Sequence, residues 1–206
     1  MGTQPDGMIS GATMSGKTTA VIYEAAEATD RVVTRWAGGE IMFLAVPGPE
    51  VGIELAVSLA KDGVGLIELC GGFGLPGHAA ALAAVGAGTP VSAVLYGIES
   101  LTAANEFKQR YEHGLTLRGA FIYLSPEADP ATDRVTRRDG MLTTVFAAAR
   151  SAAEAADIAA ALAAEPEGLH LIELYGGIGP DWAAAVLERV GGQVPVGLPG
   201  YPPPRR

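Results

Sequence analysis

Two glutamates are the residues most able to do chemistry in this chain. Each interrupts an apolar run just ahead of a glycine-rich turn. Glu68 lies in Leu66-Ile67-Glu68-Leu69, followed by Cys70-Gly71-Gly72-Phe73-Gly74. Glu173 lies in Leu171-Ile172-Glu173-Leu174, followed by Tyr175-Gly176-Gly177-Ile178-Gly179. A carboxylate buried among apolar residues is costly unless it is paired or hydrogen-bonded. Two uses are open. With a raised pKa, Glu68 and Glu173 are candidate catalytic acid–base residues. Alternatively they are structural, accepting loop N–H bonds or pairing with Arg31, Arg35 or Arg138. The turns are candidate ligand-binding elements. Glycines at a helix start leave backbone N–H groups able to meet a small anion, helped by the helix dipole. Gly71, Gly72, Gly74, Gly176, Gly177 and Gly179 are the residues concerned. The other reading is that they only permit positive φ and close helix–sheet packing.

Other reactive side chains are few. Cys70 is the sole cysteine, and the nearest histidine in sequence is His78. A thiol nucleophile would need such a base, whereas a buried inert cysteine needs none. His113 and His170 lack spacing partners, so no metal site is expected, and no cofactor is indicated. Gly11-Ala12-Thr13-Met14-Ser15-Gly16-Lys17-Thr18 matches the phosphate-binding P-loop pattern letter for letter. That chemistry requires a buried strand before the loop and a helix after it. Only Met8-Ile9-Ser10 precedes it, and the strand-like Thr19–Tyr23 follows. The context therefore favours a flexible leader over a nucleotide site.

The elements that must position these groups occur twice. Shifting the chain by 105 residues lays Leu66–Val91 on Leu171–Val196 without gaps, and 14 of 26 positions are identical. Upstream, Ala20-Val21-Ile22-Tyr23 answers Ala120-Phe121-Ile122-Tyr123, and Ile41-Met42-Phe43 answers Thr144-Val145-Phe146. Such self-similarity marks an internal duplication. Residues 50–61 and 151–164 are rich in helix formers and end at glycine- or proline-containing stops. Each unit reads as ββαβαβ, with a largely parallel sheet, flanking helices and a leading strand pair that is partly antiparallel. The expected architecture is α/β, with the two units related by a pseudo-twofold axis. The expected layout is a leader over 1–17, a first unit over 18–98, a connecting helix over 99–117 and a second unit over 118–201. In the connecting helix, Leu101, Ala104, Phe107, Lys108 and Tyr111 form one stripe. Tyr23 and Tyr123 read as core or pocket-wall aromatics, and Trp36 and Trp182 as packing residues.

The formal net charge of −9 argues against nucleic acid as partner, since phosphate neutralisation needs clustered Lys and Arg. No apolar run approaches a membrane span, and Met1–Ile9 does not read as a secretory signal. One cysteine rules out an intrachain disulfide and fits a reducing cytoplasm. A homo-oligomer stays open.

The motif Ile67-Glu68-Leu69-Cys70-Gly71-Gly72-Phe73-Gly74, its second copy, and Val194-Pro195-Val196-Gly197 resemble an uncharacterised bacterial family of units of roughly 100 residues, domain of unknown function 6506. The resemblance covers most of residues 19–200 and implies a tandem duplication, with no known activity. Two functions follow from the residues. One is a small-molecule enzyme of lyase or isomerase type, binding an anionic metabolite at the Gly-Gly-x-Gly turns. The other is a non-catalytic ligand-binding or assembly protein. A P-loop nucleotide binder ranks below both.

Overall fold

The computed structural model describes residues 18–25 and 31–200. The leader over 1–17, with Gly11–Lys17 of the P-loop-like motif, and the tail from Tyr201 lie outside the described residues. The first half runs β1 (Thr18–Glu24), β2 (Arg31–Trp36), β3 (Gly39–Val46), α1 (Pro49–Lys61), β4 (Leu66–Leu69), α2 (Gly74–Val85) and β5 (Val91–Tyr96). After α3 (Leu101–Glu112) the same order returns. It is β6 (Leu117–Leu124), β7 (Arg134–Asp139), β8 (Leu142–Ala149), α4 (Ala152–Ala163), β9 (Leu171–Tyr175), α5 (Pro180–Val190) and β10 (Val196–Gly200).

Local chemistry sets the helix boundaries. Pro49 at the start of α1 has a preset φ and no N–H to leave unpaired, and Glu50 and Lys61 complement the dipole at opposite ends. Ser151 caps α4 by accepting the Glu154 N–H. Each half carries three strands ahead of its first helix, one more than the sequence suggests. The additional strand, β2 or β7, pairs antiparallel with β3 or β8. In turn β3 and β8 run parallel to β1 and β6. The polar composition of Arg134–Asp139 conceals β7, which is an edge strand and needs no buried face.

All ten strands join in one sheet of order β2-β3-β1-β4-β5-β10-β9-β6-β8-β7. The order reads alike from both edges. β5 and β10 meet antiparallel at the middle, where Val94 faces Pro199. These two residues are themselves counterparts under the 105-residue shift.

The sheet is not flat. Seven strand spacings separate β3 from β8, about 34 Å in a flat sheet. Yet the Phe43 and Phe146 rings lie 5.0 Å apart. The sheet therefore doubles back at β5–β10, and the inner faces of its halves pack together. Phe43, Phe121, Tyr123, Phe146 and Tyr175 interlock there at centroid distances of 5.0–6.2 Å. This spacing and edge-on tilt suit aromatic quadrupoles. The α1–α2 and α4–α5 pairs lie on the outer faces. Ala155, Ala159 and Leu162 of α4 pack with Trp182 and Val186 of α5 in the outer core of the second half.

Two predictions follow. Phe43 is fully buried at the centre of the inner core, so Phe43→Ala should cost about 3–5 kcal/mol in urea unfolding, and a cost below about 1 kcal/mol would contradict the packing of the two faces. Thr18 opens β1, so a strand stands where a P-loop needs a helix. Calorimetric titration with Mg-ATP should accordingly give no binding that Lys17→Ala abolishes.

Candidate functional site

Strand register sends both glutamates inward. Glu68 lies beside Val21 on β1 and Ser92 on β5. Glu173 lies beside Phe121 on β6 and Gly197 on β10. Both are buried, at 0% and 2% exposure, so their charge must be answered by protein donors. The backbone donors come from the opposite half. Glu68 accepts the Gly176 N–H at 2.7 Å and the Gly177 N–H at 3.1 Å. Glu173 accepts the Gly71 N–H at 3.0 Å and the Tyr96 hydroxyl at 2.8 Å, with the Tyr175 hydroxyl on its other oxygen at 2.5 Å. The two carboxylates thus cross, each capping the other half's glycine turn.

The glycines fit this use. A Cβ on Gly71 would lie 2.8 Å from the Glu173 carboxylate. Gly176 and Gly177 have φ of +100° and +70°, in the region that favours glycine. Gly74 opens α2 and Gly179 caps α5. Neither Gly74, Gly179, Gly176 nor Gly177 borders the cavity described below, whereas Gly71 and Gly72 do. Of the arginines considered as partners, Arg35 pairs instead with Glu40 on the neighbouring strand.

Burial pushes Glu173 above the ordinary carboxylate range, against the pull of its bonds from Tyr175, Tyr96 and Gly71. Burial, then the Glu173 charge, holds Tyr96 and Tyr175 well above the usual phenol range. Both hydroxyls therefore stay protonated and serve as donors. Burial and the neighbouring Glu173 push Cys70 up to about 12, so it is a thiol at neutral pH and a poor nucleophile. His78 bonds the Val91 carbonyl at 3.1 Å. Among the described residues no group of three or more His, Cys, Asp or Glu could hold a metal.

Beside Glu173 lies a cavity of about 450 Å³ between the two inner faces. The strand ends of the first half supply Tyr23, Glu24, Cys70 and Tyr96. The second half supplies Gly119, Phe121, Leu142, Thr144 and Leu171. The connecting helix α3 closes it with Ala104, Phe107, Lys108 and Tyr111, at the helical spacing i, i+3, i+4, i+7. Glu24 is half-buried, and burial alone raises its pKa. Glu24, Tyr96, Gly119 and Thr144 carry no motif. Tyr23, Gly71, Gly72 and Glu173 were legible as candidate site or pocket-wall residues, and the stripe on α3 was a further signal, since an apolar stripe on a connecting helix must cover something.

A prediction tests the crossed bonds. Glu68→Gln and Glu173→Gln keep shape but set an amide where a carboxylate met N–H and O–H donors. Each should lower the unfolding free energy by about 2–4 kcal/mol. The control Glu50→Gln, at an exposed position in the first turn of α1, should change it by less than about 1 kcal/mol. Losses as small as the control's in both variants would show that the bonds do not support the fold.

No functionally curated protein matches the chain. Among solved structures, a carbohydrate transporter from Acidothermus cellulolyticus 11B, in complex with myo-inositol, is similar with a TM-score of 0.27 and 14% identity. The similarity covers 88% of this chain and 73% of that one, and it is too low to bear on fold or function. No helix among the described residues is long and apolar enough to cross a membrane. The model of a family of unknown function, DUF6506, matches twice, over residues 17–109 and 117–206, and the chain belongs to that family as a tandem repeat.

Proposed function

We propose that the protein binds a small molecule in the cavity between its two halves, and that Glu68 and Glu173 are structural. The units, over 18–98 and 118–201, are read as related by a pseudo-twofold axis through the Val94–Pro199 pair. The palindromic strand order and the crossed glutamates support that reading. The observation that carries the binding function is the cavity itself. Its volume falls in the range of small-molecule sites, and its wall is mainly apolar and aromatic with a few polar groups. A cavity left beside a tightly packed aromatic core loses dispersion contacts along its whole lining, which a bound ligand restores.

The anion clamp expected from the glycine turns gains little support. The Gly71, Gly176 and Gly177 amides already serve carboxylates, and an incoming anion would compete with those charges. Catalysis is the second reading. It is favoured by Glu24, a carboxylate with raised pKa at the cavity wall, as a general base would require.

Gly119 provides the test. It lines the cavity, and an added Cβ meets nothing closer than 3.9 Å. Gly119→Leu should therefore fill the cavity without straining the backbone. Native mass spectrometry of the purified protein, incubated with metabolite extract, should show a bound small molecule that is missing from Gly119→Leu. Equal occupancy in both proteins would refute binding at this cavity.

A further inference from the structure

The cavity has an uneven charge layout, and that layout points to a class of ligand. Its cation, Lys108, stands at the rim on α3. Its side chain is 72% exposed and lies 3.7 Å from the Glu112 carboxylate. Two carboxylates are also among the lining groups. Glu173 is engaged by three donors, from Gly71, Tyr96 and Tyr175. Glu24 differs. Its carboxylate rests over Gly72, where an added Cβ would come within 2.5 Å of Oε2. Burial raises its pKa, and no hydrogen bond or cation from the described residues offsets the effect. A half-buried carboxylate without a donor is a group whose desolvation cost a ligand can relieve. The same cavity is lined by the rings of Tyr23, Tyr96, Phe107 and Phe121, and the negative π faces of such rings attract cations and accept apolar surface.

We propose that the cavity takes a small organic ammonium ion, its N–H groups donating to the Glu24 carboxylate and its apolar part lying against Phe107 and Phe121. This rests on the reading of the cavity as a binding site. A cation there is drawn by both carboxylates and by the rings. An anion would face Glu24 and Glu173, with the solvated Lys108 the only cation among the described lining residues. A neutral hydroxyl compound could bond Glu24 but would gain neither the charge pairing nor the cation–π attraction.

Three probes of one shape separate the cases: 2-phenylethylammonium, 2-phenylethanol and 3-phenylpropanoate. Isothermal titration of the full chain should show the ammonium binding at least about tenfold tighter than the alcohol, with the carboxylate weakest. Glu24→Gln should weaken the ammonium by about tenfold or more and leave the alcohol within about twofold. Thermal melts of Glu24→Gln check that it folds, and Glu24→Asp should restore part of the ammonium affinity. Gly119→Leu should abolish all binding. Alcohol or carboxylate binding as tightly as the ammonium, or ammonium binding unchanged in Glu24→Gln, would overturn the proposal. If that binding is still lost in Gly119→Leu, the cavity stands as a site and only the ligand class falls. Probe binding that survives Gly119→Leu lies elsewhere and counts against the cavity itself. No binding by the ammonium, with a different molecule retained by the cavity in mass spectrometry, would likewise overturn the ammonium class alone.

Discussion

The crossed capping of two buried carboxylates is the constraint on which this structure depends. Neither half can satisfy its own glutamate with its own glycine turn in the observed arrangement. Glu68 needs the amides of Gly176 and Gly177, and Glu173 needs that of Gly71. Each half leaves a charge for the other to solvate. A half moved away from its partner would expose not only the Phe43–Phe146 core but two carboxylates deprived of the glycine-turn amides. The hydrophobic inner faces bring the halves together without much geometric preference. The carboxylates add direction, fixing how far one half slides on the other.

The two halves share a plan but differ where it matters for a ligand. Cys70 stands where the second half has Tyr175, so only Glu173 gains a hydroxyl donor from its own strand. Gly119 stands where the first half has Thr19, and Thr144 where it has Ile41. Both open space on the second half's inner face, and both line the cavity. The connecting helix α3 then lies across that opening. None of its residues is buried, so it is held mainly by the stripe that faces the cavity. Duplication thus supplies a frame, and a few small residues on one side convert part of the interface into a compartment.

Much of the frame was legible in the chain. The 105-residue shift, the helices and the strands that carry the glutamates, β4 and β9, follow from periodicity and stop residues. So does the connecting helix with its stripe at Ala104, Phe107, Lys108 and Tyr111. The glutamates announced themselves because a charge inside an apolar strand must be answered. Their donors did not, because which turn meets which strand is decided by long-range packing of one half on the other. For the same reason nothing in sequence pointed to Glu24 or Gly119, which matter only once the faces meet. Arg118 is a further case. It is buried and holds the loop after α4 through the Leu162 and Gly168 carbonyls and Glu165. As one basic residue at the start of a strand, it carries no pattern. The edge strands β2 and β7 were obscured because edges need not alternate.

Hydrogen exchange tests the crossed carboxylates most directly. An amide in a surface turn normally exchanges through small local openings, whereas one bound to a buried acceptor must wait for larger ones. The amide protons of Gly71, Gly176 and Gly177 can be followed individually by NMR after transfer to deuterated buffer. The account predicts that all three exchange as slowly as the central amides of β4 and β9, in step with opening of the whole interface. Exchange at the rate of ordinary turn amides, such as those of Gly140 or Gly191, would show that the glutamates do not hold these turns and would contradict the account.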